Sequence, residues 1–192
     1  MSELIGPDGV ARCSWGNTAP DYAEYHDTEW GVPLRGQDEL YERVCLESFQ
    51  SGLSWIVILR KREGFRRAFE GFKPERVAEF GDADVARLLE DASIVRNRAK
   101  IVAAIRNARA IAELDRPLDE LLWSFAPTGR RKRPRTMADV PATTDESKAM
   151  AKDLKKRGFT FLGPTTCYAL MQATGMVDDH VRGCFRATPD GK

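Results

Sequence analysis

The chain contains two histidines, His26 and His180, and each lies near a cysteine at one end of the chain: Cys13 precedes His26, and Cys184 follows His180 at i+4. Two thiolates and two neutral imidazoles form a ligand set that zinc prefers. An i, i+4 His/Cys pair on a helical turn projects both groups to one side, which suits two vertices of a tetrahedron. The gap between Cys13 and His26 matches no standard finger spacing, so the competing reading is four unrelated residues in loosely ordered termini. If all four bind, no coordination position remains for water, and the metal is a structural clip joining the N-terminal arm to the C-terminus. Cys45 and Cys167 fall inside apolar segments and read as small core hydrophobes.

Glu47 stands on the apolar stripe that Leu40 and Val44 define at helical spacing. A carboxylate on an inward face is costly unless it meets a cation or several donors. Either the helix ends near Glu47 and the group swings out to water, or the residue has a function inside. The arm before it carries Trp15, Tyr22, Tyr25 and Trp30 among acidic residues. These rings either form a flat, electron-rich pocket or bury the arm against the body, and Trp55 divides in the same way between ligand platform and core. The stretch Gln50-Ser51-Gly52-Leu53 precedes a helix. It offers Gln50 or Leu53 to the gap left by a displaced nucleotide, or it is a plain interhelical turn with Leu53 in the core.

Residues 88–105 read as two amphipathic helices joined by a tight basic hairpin, with Arg96, Asn97, Arg98 and Lys100 at the entrance to the second. Free amides and cations at a helix N-terminus can hold a phosphate, although the same arrangement occurs in proteins with no nucleic-acid partner. Further basic groups at 60–62 with Arg66 and Arg67, at 130–135 and at 155–157 read as solvated surface or as additional contacts.

The elements that must position these groups are helical. Apolar residues recur at spacings of three and four from Asp38 onward, and no run of strict alternation appears. Asp82, Asn97 and Thr144 or Asp145 are candidate helix starts, Pro117 and Pro164 open further helices, and Gly158 and Gly175 stop two of them. The expectation is an all-α protein of about seven to nine helices. With 192 residues, 42% of them hydrophobic, the chain is long enough for a single core, and disordered and collagen-like classes are excluded. The net charge of +1 points to no anionic partner in bulk. The longest apolar run, Trp55 to Leu59, is far too short to span a membrane, and the N-terminus lacks a signal pattern. A soluble, cytoplasmic monomer is expected.

In combination these segments resemble the bacterial 3-methyladenine DNA glycosylase I family, within the helix-hairpin-helix glycosylase superfamily. The resemblance runs from about Arg12 to Cys184. It rests on Arg12-Cys13-Ser14-Trp15, the stretch from Tyr25 to Pro33, Leu46-Glu47 followed by Gly52-Leu53-Ser54-Trp55, Lys155-Lys156-Arg157-Gly158-Phe159, and Asp179-His180-Val181 with Cys184. It implies a helix-hairpin-helix bundle with one structural zinc held by Cys13, His26, His180 and Cys184. It further implies a base pocket shaped by Trp15, Tyr22, Tyr25 and Trp55 around Glu47, the recognition carboxylate.

Arg96, Arg98 and Lys100 would then grip the backbone of alkylated double-stranded DNA, with Gln50 or Leu53 at the flipped-base gap. The implied organisation is one unit over 1–192, with a central part at about 36–126 and a zinc-clipped terminal subdomain from 1–35 and 127–192. The implied activity is hydrolysis of the N-glycosidic bond of 3-methyladenine in base excision repair, without strand cleavage. A broader alkylpurine glycosylase and a non-catalytic DNA-binding module are the alternatives. Ser93 and Ala99 stand where the family often has glycine, and Ser48-Phe49 replaces a small-polar pair after Glu47.

Overall fold

The computed structural model describes residues 4–129 and 131–187. Among them the chain is all-helical, apart from one isolated bridge between Ile5 and Ala11. The helices are α1 (Pro20–Thr28), α2 (Gln37–Gln50), α3 (Trp55–Ala68), α4 (Pro74–Val77), α5 (Asp82–Glu90), α6 (Arg98–Ala112), α7 (Leu118–Trp123), α8 (Asp145–Lys156) and α9 (Pro164–Ala173). Short 3-10 turns lie at Ser14–Asn17, Glu70–Phe72 and Met137–Asp139. No helix of the described residues is long and apolar enough to cross a membrane.

The helix boundaries follow from local chemistry. Asn97 caps α6 by accepting from the Lys100 amide at 3.1 Å, and Thr144 caps α8 by accepting from the Ser147 amide at 3.2 Å. Asp82, expected as a cap, is instead the first helical residue of α5. Gly81 takes the cap position, and the Asp84 carboxylate reaches back to the Gly81 amide at 3.1 Å. Pro117 likewise caps α7 rather than starting it. Helix α1 was not anticipated, because its charged and aromatic residues alternate too closely to leave a purely apolar stripe.

Helix α2 is the centre of the packing and lies against α3, α6, α7 and α9. Its Leu40, Tyr41, Val44, Cys45, Leu46 and Phe49 are fully buried, and the larger of these side chains stabilise the fold by about 1.5–3 kcal/mol each. The Tyr41 hydroxyl donates to the Ala104 carbonyl at 2.9 Å, tying α2 to α6. Ser48 donates to the Val44 carbonyl and Phe49 packs on Phe65, so both departures after Glu47 lie in the core and not at a pocket rim.

The connection 91–97 between α5 and α6 crosses α3 at Gly64, where a Cβ would lie 2.5 Å from the Ser93 carbonyl oxygen. A second, smaller apolar cluster gathers Cys13, Tyr25, Trp30, Ala173, Val181 and Cys184, and Trp55 packs against both clusters. Cys45 and Cys167 are buried in the main core, as their surroundings in sequence suggest.

Candidate active site and metal centre

Helices α1, α2 and α9 and the N-terminus of α3 enclose a cavity of about 360 Å³. Its wall includes Trp15, Tyr22, Tyr25, Trp30, Glu47, Gln50 and Trp55. Tyr22 and Tyr25 reach it together because they lie at i and i+3 on α1. The rings brace one another: Trp15 meets Tyr22 edge-on at 5.6 Å and Trp30 at 5.2 Å, and Tyr25 tilts against Trp55 at 5.3 Å. The Tyr22 hydroxyl accepts from the Ile56 amide at 2.9 Å, satisfying a free donor at the start of α3 that Ser54 leaves uncapped. The rings are therefore both packing and lining.

Glu47 is 5% exposed, on a helix that continues to Gln50, so the group does not swing to water. Among the described residues its carboxylate takes no hydrogen bond from the protein. Burial pushes its pKa up from an ordinary 4.5 to about 7, against the opposing pull of Arg43. Arg43, one helical turn earlier, is itself buried and donates to the Tyr25 hydroxyl at 3.2 Å and to Glu29 at 3.1 Å. Glu29 also accepts from both terminal guanidinium nitrogens of Arg62.

Four wall residues were not singled out from the sequence as lining: Ser54, Met137, Ala169 and Gln172. Gln172 carried a signal of the same kind as Glu47, a lone polar group beside the buried run of Cys167, Tyr168, Leu170 and Met171 on α9. Arg43 carried one too, at i−4 from Glu47.

Next to this cavity, Cys13, His26 and Cys184 bring one ligand atom each within 4.8 Å of the others, a group able to hold a metal ion. His180 packs edge-on against His26 at 5.1 Å between ring centres, and its buried Nε2 has no partner. Both imidazoles are oriented from behind: Asp27 lies 2.9 Å from His26 Nδ1, and Asp178 lies 2.9 Å from His180 Nδ1. The Val181 amide donates to Cys13 Sγ at 3.5 Å. Contact with the Cys13 thiol and with His26 holds the Cys184 sulfur below the ordinary thiol range, while the same thiol contact pushes Cys13 up.

Gly31, at φ +76°, makes room for the His180 ring, since a Cβ there would lie 2.7 Å from Cε1. His180 and Cys184 do not share a helical turn, which corrects the expectation for their spacing. The segment is a series of turns, with Gly183 at φ +93° and the Cys184 amide bonded to the Val181 carbonyl.

The residues expected to touch DNA divide. Leu53 is 41% exposed on the tight turn between α2 and α3, and Gly52 there adopts φ +80°. It is therefore not a core residue. Gln50 lines the cavity beside it. Arg96 and Arg98 are exposed at the N-terminus of α6. Arg98 also borders a groove with Arg106, Thr160 and Phe161.

Lys100 corrects the expectation of a backbone contact: it is 7% exposed, and its Nζ donates to the Phe49 and Ser51 carbonyls at 2.8 and 2.5 Å. The C-terminal carbonyls of α2 need partners, and a buried cation supplies them. The basic groups at 60–67 are largely spent on internal ion pairs with Asp21, Glu29, Glu42 and Glu63. Arg131 and Arg133 lash the strap before α8 to Tyr168, Asp179, His180 and Asp178, and Arg130 lies outside the described residues.

A family model described as methyladenine glycosylase matches residues 15–187. The chain belongs to the methyladenine glycosylase family. Among its relatives in this family, DNA-3-methyladenine glycosylase 1 of Escherichia coli is 46% identical over 179 residues, covering 91% of this chain and 96% of that protein. A crystal structure of 3-methyladenine DNA glycosylase I superposes with a TM-score of 0.89 at 44% identity, covering 92% of this chain and all of the other. The Staphylococcus aureus 3-methyladenine DNA glycosylase I, solved to explain its recognition of 3-methyladenine, superposes with a TM-score of 0.85 at 35% identity over 91% of this chain and 95% of that one. The all-helical architecture expected from the sequence is thus the architecture of this glycosylase family.

Proposed function

We propose that this chain is a monofunctional DNA glycosylase that hydrolyses the N-glycosidic bond of 3-methyladenine in alkylated duplex DNA and leaves an abasic site. The observation that carries the reading is Glu47, a carboxylate buried without a protein hydrogen bond among the described residues, in a ring-lined cavity of about 360 Å³. A purine alkylated at N3 while attached to deoxyribose carries delocalised positive charge, so its glycosidic bond is already weak and no strong acid is required.

The site's work is to take the base out of the stack and to distinguish it from neutral adenine. Each aromatic face attracts the cation by about 0.5–2 kcal/mol. An entering positive charge also lowers the pKa of Glu47, so the carboxylate is ionised when the lesion is present and accepts hydrogen bonds from the base edge. Normal adenine brings no charge to the wall and keeps its strong bond.

The base leaves with the electrons of the C1′–N9 bond, and a water oxygen bonds to C1′ and releases a proton. Lys100 is committed to two backbone carbonyls, so the hairpin offers no amine for Schiff-base chemistry. Leu53 enters the duplex as the wedge, with Gln50 behind it, and Arg96 and Arg98 hold phosphates from the start of α6, the entrance of a helix-hairpin-helix unit. The chain acts as a cytoplasmic monomer, with a central part at about 36–126 and terminal segments joined at the cysteine and histidine cluster.

Those residues fit a zinc ion. Two sulfurs and two imidazoles are its preferred donors, the unpartnered His180 Nε2 is a ligand atom without another use, and carboxylates behind both Nδ1 atoms fix the required tautomer. With four protein ligands the ion is structural, holding the turn after α9 against the N-terminal arm and so supporting Tyr25 and Trp30.

The test is incubation of the purified chain with methylated duplex DNA and chromatographic identification of the released bases. Release of 3-methyladenine without borohydride-trappable intermediate is expected. Absence of any released purine would end the glycosylase reading, and trapping would end the monofunctional one.

A further inference from the structure

Gln172, on α9, lines the cavity together with Glu47 and Gln50 of α2, and its amide is not free to rotate. Its Nε2 donates to Asp179 Oδ2 at 2.9 Å. Asp179 is 3% exposed and also receives the Tyr168 hydroxyl at 2.5 Å and Arg131 at 3.5 Å. Arg131 in turn donates to the Tyr168 hydroxyl at 2.8 Å. A carboxylate among three donors is an acceptor only, so the amide nitrogen must face it, and the carbonyl oxygen must be the end that remains. Among the described residues that oxygen takes no hydrogen bond. Gln172 lines the cavity and Asp179 does not.

Resting on the glycosylase reading above, we infer that Gln172 is a specificity-determining residue. Its carbonyl oxygen, held toward the cavity by Asp179, accepts from the exocyclic amine of an alkylated adenine and opposes the carbonyl of an alkylated guanine. An adenine lesion presents two hydrogens on its amine, and the cavity presents two acceptors, Glu47 and Gln172. A guanine lesion places an oxygen at the same corner of the ring, where neither acceptor can pair with it and both repel it. A neutral methionine of similar length at position 172 removes the acceptor and keeps the volume.

The experiment measures kcat/KM for release of 3-methyladenine and of 3-methylguanine from methylated duplex DNA by the wild-type chain and by Gln172→Met. Loss of one buried hydrogen bond predicts a fall of about tenfold on 3-methyladenine, with 3-methylguanine unchanged or faster, so that the preference moves toward parity. An equal fall on both lesions, or an unchanged ratio, overturns the inference. If Gln172→Met loses its thermal transition, Gln172→Asn, which retracts the amide by one methylene, must shift the ratio in the same direction by a smaller factor, and an unshifted ratio there overturns it equally. A wild-type chain that releases neither base removes the glycosylase reading itself, whereas a wild-type chain that releases 3-methyladenine while the variant keeps its preference removes only the role of Gln172.

Discussion

Replacing Glu47 by Gln should abolish most excision and at the same time make the protein more stable. The carboxylate is buried, and its pKa rises from an ordinary 4.5 to about 7 through desolvation. The folded state therefore binds this proton more tightly than the unfolded state does. Between pH 4.5 and about 7 stability falls as the pH rises, because folding resists the ionisation that the unfolded chain undergoes freely. Above about 7 the full penalty of about 3 kcal/mol is present; below 4.5 it is absent.

Glutamine has the same shape and carries no charge. Since Glu47 takes no protein hydrogen bond among the described residues, the exchange breaks none. Glu47→Gln should melt near the wild-type temperature at pH 4.5 and about 6–12 °C above it at pH 8. Calorimetric melts across that range, paired with release of 3-methyladenine at pH 8, give both readouts. A variant that melts at or below the wild type at pH 8, or that excises at near-normal rate, would refute the reasoning.

Wild-type kcat/KM on 3-methyladenine should fall toward low pH below about 7, by up to tenfold per pH unit, since the free enzyme must supply an ionised Glu47; a profile flat from pH 5 to 8 contradicts this. Purified protein should contain one zinc per chain by elemental analysis, and strong chelation should lower the melting temperature and excision together, whereas a metal-free chain with full stability excludes the clip. Leu53→Ala should reduce excision from duplex DNA by tenfold or more and leave binding of free 3-methyladenine unchanged by calorimetry; a matching loss of free-base affinity would place Leu53 in the pocket instead. Arg98→Ala should weaken DNA binding and lower the slope of log K against log salt by about 1, and an unchanged slope would remove Arg98 from the phosphate contacts.

The spacing of Glu47 from Leu40 and Val44 put it on the apolar stripe but left open whether the helix ended there; that α2 runs on to Gln50 with Glu47 buried is what the structure adds. Gln172 obeyed the same logic on α9 and was overlooked, since an amide beside apolar neighbours raises no electrostatic alarm and its partner Asp179 lies on the turns that follow the helix. Lys100 could not be placed from sequence. A lysine in a basic run looks the same whether it faces phosphates or folds back onto carbonyls of a helix distant in sequence, and only the packing of α6 against the end of α2 decides it. Cys13, His26 and Cys184 come together with His180 beside them, but the turn that carries His180 and Cys184 has Gly183 at positive φ, a conformation that residue spacing does not encode. The all-helical class was clear throughout, because period and cap residues agreed.

On the proposed reading, Arg43 gives a reason why the ionisation of Glu47 acts as the selective step. Its guanidinium lies 5.5 Å from the Tyr25 ring centre and 5.9 Å from that of Trp55, behind two rings that must attract a cation. Behind this wall Arg43 and Arg62 contribute two positive charges, and Glu29, paired with both, cancels one. While Glu47 is protonated the wall therefore carries one unit of positive charge and repels an alkylated base. Once Glu47 ionises, the wall is neutral, and the incoming cation is itself what makes ionisation favourable in a site shielded from water. Unmodified adenine cannot trigger that change: it meets either a positively charged wall with a neutral acid, or an ionised carboxylate whose burial it does nothing to offset. On the proposed reading, discrimination thus resides in the buried charge of Glu47, which a positive guest stabilises and a neutral one does not, and the rings and the amide of Gln172 refine that choice.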